Sequence, residues 1–185
     1  MSNHLKGDIL FLVVGESGSG KTSICGRLEN RLGAKQVKSY TTREPRHPFE
    51  DGHNFVWDFE RWKRENPEEW IVAETHFAGR DYWATASQIN DSNLYVIDPI
   101  GIQSLKSTYV GEKQFRVIYI RVSAWARYRR MRRRGDSRRH ALARLLHDRK
   151  AFRGVGRWAD ITIRNSDFET CCISAERYLL QEDGN

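Results

Sequence analysis

Residues 9–14, ILFLVV, form the longest apolar run in the chain, and Gly15 follows it directly. Six apolar residues predict a buried strand, not a membrane span or a signal peptide. A helix is predicted after it, from about Thr22 to Leu32. Further apolar strands are predicted at residues 94–97, closed by Asp98, at 116–122 (RVIYIRV) and near 161–164 (ITIR). Helical sequence follows the second of these strands as far as Ser107. It follows the third through an arginine-rich stretch, and the fourth as a last helix opened by Ser166 or Asp167. Strands alternating with helices predict an α/β fold with a parallel sheet covered on both faces. Residues 39–90, mixed and rich in aromatics, break this rhythm and read as an inserted lobe. No repeat or linker divides the chain, and 185 residues suit one compact domain.

A hydrophobic fraction of 39% and a mean hydropathy of −0.70 are those of a soluble protein. With no cleavage pattern behind the first strand, the expectation is cytoplasmic residence and no membrane contact. Cys25, Cys171 and Cys172 lack a metal-type spacing and read as reduced intracellular thiols. Charge changes the picture more. Residues 121–149 hold eleven Arg and no Lys against Asp136 and Asp148, a local balance of +9 in a chain of net +7. An anionic ligand, nucleotide or nucleic acid, is expected to meet that segment.

GESGSGKTS, residues 15–23, satisfies G-x-x-x-x-G-K-[ST] between a predicted strand and a predicted helix. The glycines let backbone N–H groups turn inward around phosphate, and the helix start adds positive potential. Lys21 reaches the β and γ oxygens, and the Thr22 hydroxyl ligates Mg²⁺. The expected ATP phosphate set is Gly15, Ser17, Gly18, Ser19, Gly20, Lys21, Thr22 and Ser23. Asp98 at the carboxyl edge of its strand either positions Mg²⁺ through water, hydrogen-bonds another site group, or opens the turn at Pro99. A second phosphate receptor is read in SYTTREPRHPFEDGHNFV, residues 39–56, where Arg43 and Arg46 stand three apart beside Ser39 and Thr41.

In the arginine run, Arg127, Arg130 and Arg134 share one helical face. Trp125, Tyr128 and Met131 form a neighbouring apolar stripe, read as core. Gly135 and Asp136 break that helix, and a second one carrying Arg144 and Arg149 follows.

Over nearly its whole length the sequence resembles the guanylate kinases. The resemblance is carried by GESGSGKT, SYTTREPR, EDGHNFV, GRDYWAT, VIDPIG, RRRGD and IRNSD, in that order. It implies a three-layer P-loop kinase fold with a parallel core (1–38, 91–130 and 146–185), a nucleoside-monophosphate lobe (39–90) and an arginine-rich lid (about 131–145). It maps Ser39, Arg43, Arg46, His53 and Tyr82 onto the acceptor-phosphate site, with His53 where the family has tyrosine. Lys21, Arg46, Arg130, Arg134 and Arg144 take the catalytic and lid positions, and Asn165 falls in the adenine region. The positions that read guanine are Ala73 and Ala84, neither of which hydrogen-bonds through its side chain. Glu74 is the neighbouring candidate for the acceptor set, and Trp83 replaces glycine, adding bulk beside the base.

The resemblance implies transfer of the ATP γ-phosphoryl group, with Mg²⁺, to a (deoxy)nucleoside monophosphate, GMP or dGMP by family default. A monomer or homodimer is expected. Two other readings stand beside it: a P-loop kinase acting on nucleic acid or another phosphorylated small molecule, and a non-catalytic binding module of the same fold.

Overall fold

The computed structural model describes residues 5, 7–45, 48–77 and 79–184. In chain order, β1 (Ile9–Val14) leads into α1 (Lys21–Leu32). The short strands β2 (Tyr40–Thr41) and β3 (Asn54–Phe55), helix α2 (Phe59–Glu65), β4 (Ile71–Phe77) and β5 (Arg80–Thr85) follow. Then come α3 (Ala86–Asn90), β6 (Leu94–Val96), α4 (Pro99–Thr108) and β7 (Gln114–Arg121). The chain continues through α5 (Ala124–Arg133), α6 (Arg138–Ala151), α7 (Val155–Trp158) and β8 (Ile161–Arg164), and ends in α8 (Phe168–Asp183). Among the described residues no helix is long and apolar enough to cross a membrane.

Strands β6, β1, β7 and β8 form, in that order, an all-parallel sheet. In the centre, Leu12 of β1 pairs with Tyr95 on one side and Val117 on the other. Every residue of β1 is buried because the sheet is covered on both faces, as an unbroken apolar run requires. Strand alternation divides the run: Phe11 and Val13 pack with Ile24 and Leu28 of α1 and Leu179 of α8. Leu10, Leu12 and Val14 pack on the other face with Ile102 and Leu105 of α4. Because all four strands run one way, residue 15, Asp98, Ser123 and Asn165 follow their strands at one edge of the sheet. Open parallel sheets bind ligands at this edge.

A second sheet, in the order β3-β2-β5-β4, is built wholly from residues 40–85. Its inner face joins the main core, since Val72, Ala73 and Ala84 belong to the same cluster as Leu10 and Leu105. Its outer face is closed by an aromatic group. Trp83 is fully buried against Tyr40, Phe59 and Trp62, at ring separations of 5.5, 4.6 and 5.2 Å. The sequence reading set the bulk of Trp83 beside a bound base. One step of strand pleat instead turns it to the face opposite Ala84.

The arginine-run helix also departs from expectation. Its buried stripe is Arg127 and Met131, while Trp125 is 67% exposed. Trp125 and Met131 lie on different sides of the helix, so the apolar stripe expected across Trp125, Tyr128 and Met131 is core only at Met131.

Replacing Trp83 with Ala is expected to destabilise the protein by about 3–5 kcal/mol in urea unfolding, as full burial of a large aromatic implies. Acceptor preference is expected to stay unchanged, because the side chain points away from the acceptor side.

Candidate active site

Helices α2, α4, α5, α6 and α8 each begin with a side chain that accepts from a first-turn amide, namely Asp58, Asp98, Ser123, Ser137 and Asp167. Helix α1 differs: it starts at Gly20, which offers no side-chain cap. Its first amides are left for an anionic ligand, at the positive end of the helix dipole. Thr22 and Ser23 are exposed there. Gly20 has φ +95°, and a Cβ on it would lie 2.7 Å from Asn165 Nδ2, so the turn demands glycine.

The loop is braced from outside. Arg130 donates from Nη1 to the carbonyls of Ser19 (3.2 Å) and Gly18 (3.5 Å), and from Nη2 to the carbonyl of Asn165 (3.0 Å). Asn165 Nδ2 donates to Ser19 O at 2.7 Å, and its side chain is buried. On the far side Asp148 of α6 accepts from the Ser17 amide at 2.8 Å and from Arg127 Nη1 at 2.9 Å. Asp148 and Arg127 are 3% and 5% exposed, so this pair is a buried joint between the loop, α5 and α6. The sequence singles out Arg127 only as one of three arginines on a helical face, and Asp148 only in the charge balance. A lone acid one helical repeat from buried Ala141 was the available signal.

Lys21 folds back on the loop, donating from Nζ to Gly15 O at 2.5 Å and to Glu16 O at 3.4 Å. Desolvation pulls its pKa down to about 8, with Asp148 opposing the fall. Beside the loop lies a cleft of about 650 Å³ lined by Glu16, Arg121, Arg127, Arg130, Arg164 and Asn165, among others. Arg134 is ion-paired to Asp136 at 2.6 Å. Arg144, partly buried on α6, has no ion-pair partner among the described residues. Asp148 lies one turn beyond Arg144, which puts the two on neighbouring positions of one helix face.

The acceptor side is assembled by β2, β5 and β6. Ser39 Oγ lies 3.0 Å from His53 Nδ1, and the His53 ring is 6.0 Å from that of Tyr82. Tyr95 stands beside Ser39, its phenol held protonated by burial and by Asp98. Asp98 itself accepts from Gly101 N at 2.8 Å and caps α4, the turn-opening role. Arg43 is engaged bidentately by Glu50, at 3.1 and 2.8 Å. Any anion that reached this guanidinium would have to displace that carboxylate. Arg46 lies outside the described residues.

Glu74 is not brought into this group. It is exposed on the outer face of the second sheet, where it lines a depression of about 540 Å³ with Trp57, Asp58, His76 and Asp81. Ala73 and Ala84 are cross-strand partners, both buried on the inner face. Among the described residues no group of three His, Cys, Asp or Glu side chains is placed to hold a metal. A cation here would rest on nucleotide oxygens and the Thr22 hydroxyl, which has no hydrogen-bond partner among the described residues.

The guanylate kinase family model matches residues 9–182. The chain belongs to the guanylate kinase family. Its structure is similar to that of guanylate kinase from Anaplasma phagocytophilum, with a TM-score of 0.66. That match has 23% identity and covers 98% of this chain and 89% of the other. No curated protein matches the chain. Within this guanylate kinase fold β1, which leads to Lys21 and the uncapped α1, adjoins β6, whose Tyr95 contacts Ser39.

Two outcomes are expected. Phosphate stabilises the Lys21 ammonium, so the complex holds a proton that the free protein has lost above pH about 8. Mg-ATP affinity should be highest below that pH and fall above it, with proton uptake in calorimetry run in two buffers and none in Lys21→Met. Asp148→Ala leaves Arg127 buried without its carboxylate and should cost about 3–5 kcal/mol in unfolding, while Asp136→Ala, which breaks only an exposed pair, should cost under about 1 kcal/mol.

Proposed function

We propose that this chain is an ATP-dependent nucleoside monophosphate kinase, with residues 39–90 receiving the acceptor and residues 131–145 acting as lid. One observation carries the reading: β1 leads into a helix start left open to anions beside Lys21, and Tyr95 on the adjoining strand β6 reaches Ser39 of the Ser39–His53–Tyr82 group. The site suits two phosphorylated ligands end to end. The cleft beside Asn165 takes the adenosine end of ATP.

The acceptor's phosphate oxygen, already ionised at neutral pH, attacks the γ-phosphorus as the bond to the β,γ-bridging oxygen breaks. ADP leaves and no general base is needed. Mg²⁺, bound with ATP through the phosphates and Thr22, supplies charge neutralisation on the phosphate oxygens. Lys21 leaves the Gly15 carbonyl to follow the β and γ oxygens. Ser39, His53 and Tyr82 orient the acceptor phosphate, while Arg144 with Arg46 and Arg134 meets charge spreading onto the transferring group. Arg130 acts from beneath by fixing the loop's carbonyls.

Two alanines at the base-reading positions fit an acceptor selected by its phosphate more than by guanine edges. The test is ADP release from Mg-ATP against a panel of ribo- and deoxynucleoside monophosphates. Turnover with at least one monophosphate, spread across bases and lost in Lys21→Ala, is expected. No turnover with any of them, or full activity in a folded Lys21→Ala protein, would sink the reading. Turnover confined to GMP and dGMP would keep the kinase and refute phosphate-led selection.

A further inference from the structure

Helix α5 carries arginines on two opposite sides, and only one side is used by the site. Arg127, Arg130 and Arg134 fall within one arc, and all three are engaged: by Asp148, by loop carbonyls and by Asp136. Trp125, Arg129 and Arg132 lie on the opposite side, with Arg133 on its flank one turn beyond Arg129, and all four are exposed. Arg132 donates to the Asp136 carbonyl, whereas Arg129 and Arg133 have no partner among the described residues. On α6, Asp148 faces the loop; Arg139 lies on the opposite side and Arg138 and Arg149 on the flank between, all three exposed and without partners among the described residues.

Elsewhere on the surface Arg27, Arg31, Arg61 and Arg116 each have a carboxylate partner, whereas Arg64, Arg153, Arg157 and Arg177 are exposed, scattered and without an ion pair among the described residues. What sets α5 and α6 apart is how many such arginines stand together. In residues 121–149 the only two acids are Asp136 and Asp148, and both are spent on the inward arginines. The outward charge is therefore not neutralised within the molecule, and a polyanion gains from releasing its counterions onto it. Guanidinium groups, with almost no lysine among them, suit bidentate contact with phosphate. Trp125 supplies the second feature. It stacks on Tyr128 at 5.8 Å between ring centroids and 18° between planes, yet is 67% exposed, so its free face is open to a base. A basic surface with an exposed aromatic platform is the arrangement that holds single strands without reading their sequence. A duplex keeps its bases stacked inside and cannot use the platform. A membrane would need a broader apolar face than the exposed pair Leu142 and Leu146.

We propose that the outward face of α5 and α6, centred on Trp125, Arg129 and Arg133, is a binding surface for single-stranded nucleic acid, separate from the nucleotide site. The proposal does not rest on the kinase reading.

The probe is a fluorescein-labelled oligothymidylate of about 15 nucleotides, within the span of known single-strand sites, followed by anisotropy at several salt concentrations. Binding is expected to weaken with salt by a slope of about −0.7 per phosphate contacted. Arg129→Gln with Arg133→Gln should weaken it at least about tenfold and flatten the slope by about 1.4. Trp125→Ala should weaken it by about tenfold with the slope unchanged. Arg27→Gln, at a neutralised surface arginine, should leave affinity as it was. Saturating Mg-ATP should not displace the strand. Thermal melting checks that each variant is folded. Absence of binding, affinity untouched by the double substitution, displacement by Mg-ATP, equal affinity for a duplex, or binding to phosphatidylserine vesicles in place of the strand would each overturn the proposal.

Discussion

A single buried carboxylate, that of Asp148, ties together the three parts on which the site depends. It accepts from the Ser17 amide in the loop and from Arg127 on α5, and it belongs to α6. A charge this deeply buried is tolerated only when paired and hydrogen-bonded. Loop, α5 and α6 must keep their mutual geometry for as long as that holds. Arg130 and Asn165 complete the frame from the other side by engaging the carbonyl of Ser19. With the Ser17 and Ser19 amides engaged by Asp148 and the Glu16 carbonyl, the first amides of α1 are the ones left to face a ligand. Movement of the arginine-rich turn has to be taken up between α5 and α6, where Gly135 sits at φ +101°, and not at the end of α6 that holds the loop.

A similar constraint governs the acceptor side. The second sheet touches the main core through Val72, Ala73 and Ala84. Side chains no larger than a methyl at two facing positions let the sheet settle on that core, and the same two positions are the ones that the sequence resemblance assigns to reading guanine. Close packing and base recognition thus compete for one pair of residues. In this chain packing has them. The polar groups that remain on this side, Ser39, His53, Tyr82 and Tyr95, come together in one group.

The sequence was most legible where the backbone does the work. Residues 9–14 and 161–164 are strands at the expected bounds, and the glycine loop between β1 and α1 follows from spacing alone. Ser39, His53 and Tyr82 do come together. What stayed hidden depended on which side of an element a residue faces. Trp83 and Glu74 turn outward because a strand reverses face at each step. Trp125 and Met131 look like one stripe in sequence, but only Met131 reaches the core. Asp148 was invisible for another reason: its partners lie 21 and 131 residues away. Arg43 was legible as a phosphate ligand but not as a residue already gripped by Glu50.

The arginine run shows how one helix can carry two electrostatic roles without conflict. Charges on the inward arc lie close to the phosphate loop, and each is held by a carboxylate or by backbone carbonyls, so it is positioned before any ligand arrives. Charges on the outward arc are separated from that loop by the helix itself and surrounded by water, where attraction between distant groups is screened within about 10 Å. They add little to the field in the nucleotide cleft. The helix dipole favours Arg133 in the last turn of α5, but like charges four residues apart, as at Arg129 and Arg133, repel, and glutamate at position 129 would relieve that repulsion. An arc of unneutralised arginines therefore costs the fold something locally, and the nucleotide site gains nothing from it. A single strand on that arc, as proposed, would offset the repulsion between Arg129 and Arg133.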